Sequence, residues 1–65
     1  MLSSVIRSFK YDESDQALVI TFTSGRRYRY HEAPRAIYQA MKAANSKGEF
    51  FNKAIRDRFR FTVEH

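Results

Sequence analysis

Gly25-Arg26-Arg27-Tyr28-Arg29-Tyr30 alternates in character from Arg27 onward. Strand side chains point to opposite faces in turn, so Tyr28 and Tyr30 share one face and Arg27 and Arg29 the other. One face can anchor a core while the other presents positive charge. The stretch reads as the opening of a central strand, and the residues before it supply its partner. Ala17 to Thr23 puts Leu18, Ile20 and Phe22 on one face and Val19, Thr21 and Thr23 on the other. Ser24-Gly25 marks a hairpin between the two. A two-residue loop would set Phe22 opposite Arg27 and place arginines on the apolar face. A three-residue loop, with Gly25 in the left-handed region closing a bulge, moves the register by one. That register pairs Ile20 with Tyr28 and Leu18 with Tyr30. It is the one expected here, because a one-residue slip exchanges every side chain between faces.

Upstream, Val5 to Tyr11 has the β-branched and aromatic content of a first strand, and Asp12-Glu13-Ser14-Asp15 follows as a polar turn. Val5, Phe9 and Tyr11 share a parity with Arg7, while Ile6 has the other, and a bulge near Arg7 reconciles the two sets. Downstream, the third strand ends near His31 or Glu32. Pro34 suits the first position of a helix. Arg35 to Ala44 carries Ile37, Ala40, Met41 and Ala44 at helical spacing with Tyr38 beside them, and Asn45 ends it. Ser46-Lys47-Gly48-Glu49 matches a capping box, so a second helix is expected to start there, burying Phe51, Ala54 and Ile55. Phe59-Arg60-Phe61-Thr62-Val63 alternates again and reads as either a short edge strand or an extended tail.

Sixty-five residues are expected to make one domain. A chain of this size buries roughly 60% of the surface exposed on unfolding. There is no cysteine, so neither a disulfide nor a thiolate metal site can staple it. His31 and His65 are the two histidines, too few for a closed zinc site, and no cofactor is expected. Six Phe and four Tyr must supply the packing instead. The expected core is Phe9, Leu18, Ile20, Phe22, Tyr28, Tyr30, Ile37, Met41, Phe51 and Ile55. No run approaches the ~20 apolar residues of a transmembrane helix, and Met1-Leu2-Ser3-Ser4-Val5-Ile6-Arg7 lacks the charged start and long apolar stretch of a secretion signal, so no export is expected. A cytoplasmic protein without membrane contact is expected.

The net charge of +5 is unevenly placed. Residues 1–25 carry two basic against three acidic side chains, and residues 26–65 carry ten against four. Such an imbalance speaks to partners and solubility rather than fold, and nucleic acid is the commonest polyanion to meet it.

An ordered set of these residues resembles the KTSC domain, a module of about this length named for its occurrence at the C-terminus of some lysyl-tRNA synthetases and also found alone in bacteria. The set begins at Ser3-Ser4 and at a strand ending Tyr11-Asp12. It continues through Phe22-Thr23-Ser24-Gly25 and Tyr28-Arg29-Tyr30, which is similar to the family's Tyr-x-Tyr motif. It closes with Ser46-Lys47-Gly48, Phe51-Asn52, Ile55-Arg56 and Arg58-Phe59. The chain departs at Phe59, where the pattern leads one to expect an aromatic hydroxyl. The resemblance implies a fold and a candidate surface, and its synthetase context suggests RNA.

Three constellations could carry binding. Arg26, Arg27 and Arg29 with Tyr28 and Tyr30 have the cations and rings that single-stranded nucleic acid needs. The alternative is that the tyrosines are core and the arginines only keep an open sheet face solvated. Ser46-Lys47-Gly48, at a helix start, could hold an anion on free N–H groups, with Asn52 and Lys53 or Arg56 one to two turns on. A plain capped helix start is the alternative. The third is the run Lys53, Arg56, Arg58 and Arg60, in which Arg56 and Arg60 share one helical face only if the helix passes Phe59. Otherwise it is a solvated surface. Catalysis has little support: His31 and Glu32 are strand neighbours facing opposite ways, and Ser46 has no evident base.

The expected fold is therefore α+β: a three-stranded antiparallel β-meander followed by two helices packed on one sheet face (β-β-β-α-α), with a short C-terminal strand as an option. The expected function is a small non-catalytic binding module, for RNA or another polyanion, that uses the basic sheet face and the Ser46 helix start. The rival is a protein-interaction or assembly domain, where Arg and Tyr are equally favoured as anchors.

Overall fold

The central hairpin forms in the register that the alternation requires. In the computed structural model, which describes residues 5–64, Leu18 pairs with Tyr30 and Ile20 with Tyr28. Gly25 has φ +96°, a conformation that L side chains rarely adopt, and its N–H donates to the Phe22 carbonyl at 2.9 Å. The Phe22 N–H donates in turn to the Arg26 carbonyl at 2.8 Å, closing the loop. Ser3 and Ser4, where the family resemblance begins, and His65 lie outside the described residues.

Strand β1 spans Ile6–Asp12, β2 Ala17–Phe22 and β3 Arg27–Tyr30. The β1–β2 register shifts between Ile6 and Ser8, where the parity of the sequence requires a bulge. Ile6, Phe9 and Tyr11 thereby all join the face of Leu18 and Ile20. Two helices follow, α1 at Arg35–Ala43 and α2 at Lys47–Ala54, and then a strand β4 at Phe61–Glu64. Pro34 is the N-cap of α1, one position earlier than expected, and Ala44 is its C-cap. The Phe59–Val63 alternation is realised as a strand: β4 pairs antiparallel with β3, Tyr30 opposite Phe61 and Arg27 opposite Glu64. The sheet thus has four strands in the order β1-β2-β3-β4, and β3 is internal.

The helices lie on one face. Leu18, Ile20 and Tyr30 pack with Met41, Phe51 and Ile55. Tyr38 of α1 stacks on Tyr11 with ring centroids 5.6 Å apart and meets Phe9 edge-on at 5.8 Å. The Tyr11 hydroxyl donates to the Ala33 carbonyl at 2.7 Å, which ties the β3–α1 loop to β1. Phe9, Phe22, Tyr28 and Ile37, expected in the core, are half-buried at its margin. Ala40, placed on the buried stripe of α1 by its spacing, is exposed. Val19 was not expected in the core, yet it is buried on the face away from the helices. It sits between Lys10 and Arg29 across the strands, and long side chains of this kind lay their aliphatic stems over apolar neighbours. No helix among the described residues is long and apolar enough to cross a membrane.

Candidate nucleic-acid interface

The pleat sends the Arg-Tyr ladder to two different places. Arg27 and Arg29 lie on the face without helices, with Thr21 and Val19 opposite them. Arg27 is exposed there. Arg29 is not a free cation. Its Nη1 donates to Asp12 at 2.9 Å and to Asp15 at 3.0 Å, and its Nε donates to Glu64 at 2.5 Å. The guanidinium holds the Asp12 and Glu64 carboxyls below their ordinary range, through direct hydrogen bonds above all. Those same bonds raise the Arg29 pKa further. Arg29 therefore joins β1, its following turn, β3 and β4. Its charge is spent on that task and is withdrawn from the binding surface that the sequence suggested.

The tyrosines face the helices. Tyr30 is 3% exposed and cannot stack on a base. Burial above all, with the neighbouring Tyr28 second, pushes its hydroxyl pKa up to about 12. Tyr28 is half-buried, with Tyr30 near-parallel to it at 6.2 Å and Phe22 edge-on at 5.3 Å.

The helix start is a cap. Ser46 Oγ accepts from the Glu49 N–H at 3.2 Å, the forward half of the capping box. Lys47 turns away from α2: its Nζ donates to the carbonyls of Ala44 at 2.7 Å and Lys42 at 3.2 Å, satisfying the C-terminal end of α1. Gly48 is buried. In this geometry Ser46 caps α2 and the Lys47 ammonium is held at the C-terminal end of α1. Lys53 is exposed on α2 and lines neither of the hollows described below. Because α2 ends at Ala54, Arg56 and Arg60 do not share a helical face.

Arg56 instead lines two adjoining hollows, and Arg60 lines one of them. Where β3 and β4 run past the C-terminal end of α2, the helices leave part of the sheet uncovered. Phe61 is 52% exposed as a result, and Val63 37%. The cleft there measures about 740 Å³ and is lined by Phe22, Tyr28, Phe61, Arg26 and Arg56 among others. A second hollow of about 560 Å³ shares Arg56, Asp57 and Phe61 with it and extends past Arg60 to His31. His31 Nε2 and Thr62 Oγ1, of two residues that line it, are 2.7 Å apart. Phe61 is the ridge between the two hollows. Its ring leans on Tyr28 at 5.1 Å and on Tyr30 at 5.7 Å, which fixes an exposed aromatic face in place. Among the described residues, Arg26, Arg56 and Arg60 enter no ion pair with an acid, and Arg56 makes one long contact, at 3.4 Å, to Asn52.

Of the residues singled out from sequence, the structure gathers Arg26, Tyr28, Tyr30 and Arg56 in this cleft. Arg27, Arg29, Ser46, Lys47, Gly48 and Lys53 are elsewhere. Phe61 was missed, although its alternating segment and the resulting strand offered a signal. Exposed rings beside unpaired guanidinium groups suit a ligand with flat bases and phosphates.

The model of the KTSC domain matches residues 2–59. The chain is 41% identical over 58 residues to a lysine–tRNA ligase of Nostoc punctiforme, a match that covers 89% of this chain but only 10% of the ligase. It is 40% identical over the same length to a small protein of Tsukamurella paurometabola, covering 89% of this chain and 87% of the relative. The crystal structure of a KTSC domain protein from Yersinia pestis superposes with a TM-score of 0.90 at 33% identity, over 100% of this chain and 92% of the other.

Proposed function

The chain belongs to the KTSC domain family, and on that premise we propose that it is a small non-catalytic module that binds RNA or a similar polyanion through the Arg26–Arg56 cleft. The observation that carries the proposal is the exposed Phe61 ring set beside Arg26 and Arg56, which enter no ion pair among the described residues. A net charge of +5 gives the long-range attraction. The relationship to a segment of lysine–tRNA ligases favours RNA among polyanions. A cytoplasmic setting belongs to the same proposal and rests on that relationship and on the cysteine-free composition. Of the carboxylates, Asp12, Asp15 and Glu64 surround Arg29, and Glu13 pairs with Arg35.

The test is fluorescence anisotropy with labelled single-stranded and hairpin RNA at two salt concentrations. Wild type is compared with Arg26→Ala/Arg56→Ala and with Arg27→Ala, which removes a charge from the opposite face. Binding should weaken with salt, by roughly 0.7 log units per tenfold salt for each phosphate on a single strand. The cleft double variant should lose most of it, and Arg27→Ala should lose little. Absence of binding at low salt refutes the proposal and turns the exposed Phe61 and Val63 toward a protein partner. Equal losses in the two variants would refute the cleft as the site.

A further inference from the structure

The two hollows on either side of Phe61 differ in what they offer, and the difference says what form of nucleic acid they suit. Each is within the roughly 300–1,000 Å³ range that encloses a small ligand, and they meet at Arg56, Asp57 and Phe61. Arg26 lines only the larger hollow and Arg60 only the smaller. The middle holds a flat ring, a guanidinium and a carboxylate. Asp57 at that junction repels a phosphate but accepts N–H groups from a base edge. Phe61 and the Arg56 plane offer surfaces on which bases stack. The chemistry thus favours bases in the middle and phosphates at the ends.

Resting on the proposed RNA-binding reading, we infer that the cleft takes an unpaired stretch of two or three nucleotides, with a base laid on the Phe61 ring and the flanking phosphates at Arg26 and Arg60. A duplex cannot satisfy this arrangement. Its base faces are hidden in the stack, and only its backbone could reach the rim. The ring that would receive the base is already held by Tyr28 and Tyr30 at 5.1 and 5.7 Å, so little side-chain freedom is lost on binding.

The experiment uses the full chain and a labelled 12-nucleotide RNA of mixed sequence, alone and annealed to its complement, with an unlabelled trinucleotide as competitor. Wild type, Phe61→Ala, Phe61→Leu, Phe61→Tyr and Arg56→Ala are compared, with thermal unfolding as a check of the fold. The single strand should bind more tightly than the duplex, and the trinucleotide should compete. Removing the ring should weaken single-strand binding roughly 5- to 150-fold, the range for loss of one base–aromatic stack. Phe61→Leu keeps apolar bulk without a π face, so it should lose affinity as Phe61→Ala does, while Phe61→Tyr should retain it. Duplex binding as tight as single-strand binding overturns the inference. So does unchanged binding by Phe61→Leu alongside a loss in Arg56→Ala. Either result leaves the cleft as an RNA site. No binding of either RNA at low salt overturns both readings.

Discussion

Phe22 links the core to the cleft, and its replacement tests the packing on which the site depends. Its ring meets Tyr28 edge-on at 5.3 Å and Phe51 edge-on at 5.4 Å. Full truncation of a core phenylalanine costs about 3–5 kcal/mol. Phe22 is half-buried, so Phe22→Ala should cost about 2–4 kcal/mol on the same scale. A chain of 65 residues is expected to have about 3–10 kcal/mol of total stability. The variant should therefore melt roughly 10–25 °C below wild type. Phe22→Leu keeps much of the apolar area and removes both edge-to-face contacts, each worth about 0.5–1.5 kcal/mol, for a loss of about 1–3 kcal/mol. The assay is urea unfolding followed by far-ultraviolet circular dichroism and tyrosine fluorescence, since the chain has no tryptophan. A double-mutant cycle with Phe51→Leu isolates one of the two contacts and should give a coupling of about 0.5–1.5 kcal/mol. A Phe22→Ala cost below about 1 kcal/mol would refute the packing assigned to Phe22. A coupling of zero would refute the aromatic part of the argument.

Tyr11→Phe removes the hydroxyl that donates to Ala33 and leaves the carbonyl of a buried loop residue short of a donor. It should cost about 0.5–1.5 kcal/mol in the same urea assay, and no change would mean that the loop is held by other contacts. The pH profile should fall at both ends. Asp12 and Glu64 have depressed pKa values, so their contribution is present above about pH 4.5 and is lost as pH falls through the folded-state values. Arg29→Met should flatten this acid limb, and an unaltered limb would show that other carboxylates set it. Tyr30 is raised, so stability should hold to about pH 10 and decline as pH rises toward about 12; Tyr30→Phe should remove that decline.

Much of the fold was legible because its signals are local. The hairpin register follows from period-two alternation together with one glycine in a left-handed conformation. The bulge at Arg7 was required by parity between Ile6 and Phe9. The start of α2 needed only a serine and the N–H three residues on. Each of these depends on residues within a few positions of one another, and backbone geometry there leaves few solutions. The candidate site was legible in its residue types and not in its place. Arg26, Tyr28 and Arg56 were identifiable as cation and ring. Nothing near Arg29 in the chain says that Glu64, 35 positions away, will take its charge.

By itself, the sequence determined the order and type of the first five elements, the pleat faces of the central hairpin, and the excess of positive charge from Arg26 onward. Only the tertiary structure decided which charges remain available. The return of the chain after two helices sets β4 beside β3, and that single pairing does three things. It places Glu64 on Arg29 and neutralises part of the open face. It makes β3 an internal strand. It carries Phe61 beyond the cover of the helices, beside Arg56 and Asp57. Pairing at such separation depends on how the helices pack on the sheet, which is a property of the assembled core and is not written in any short segment of the chain.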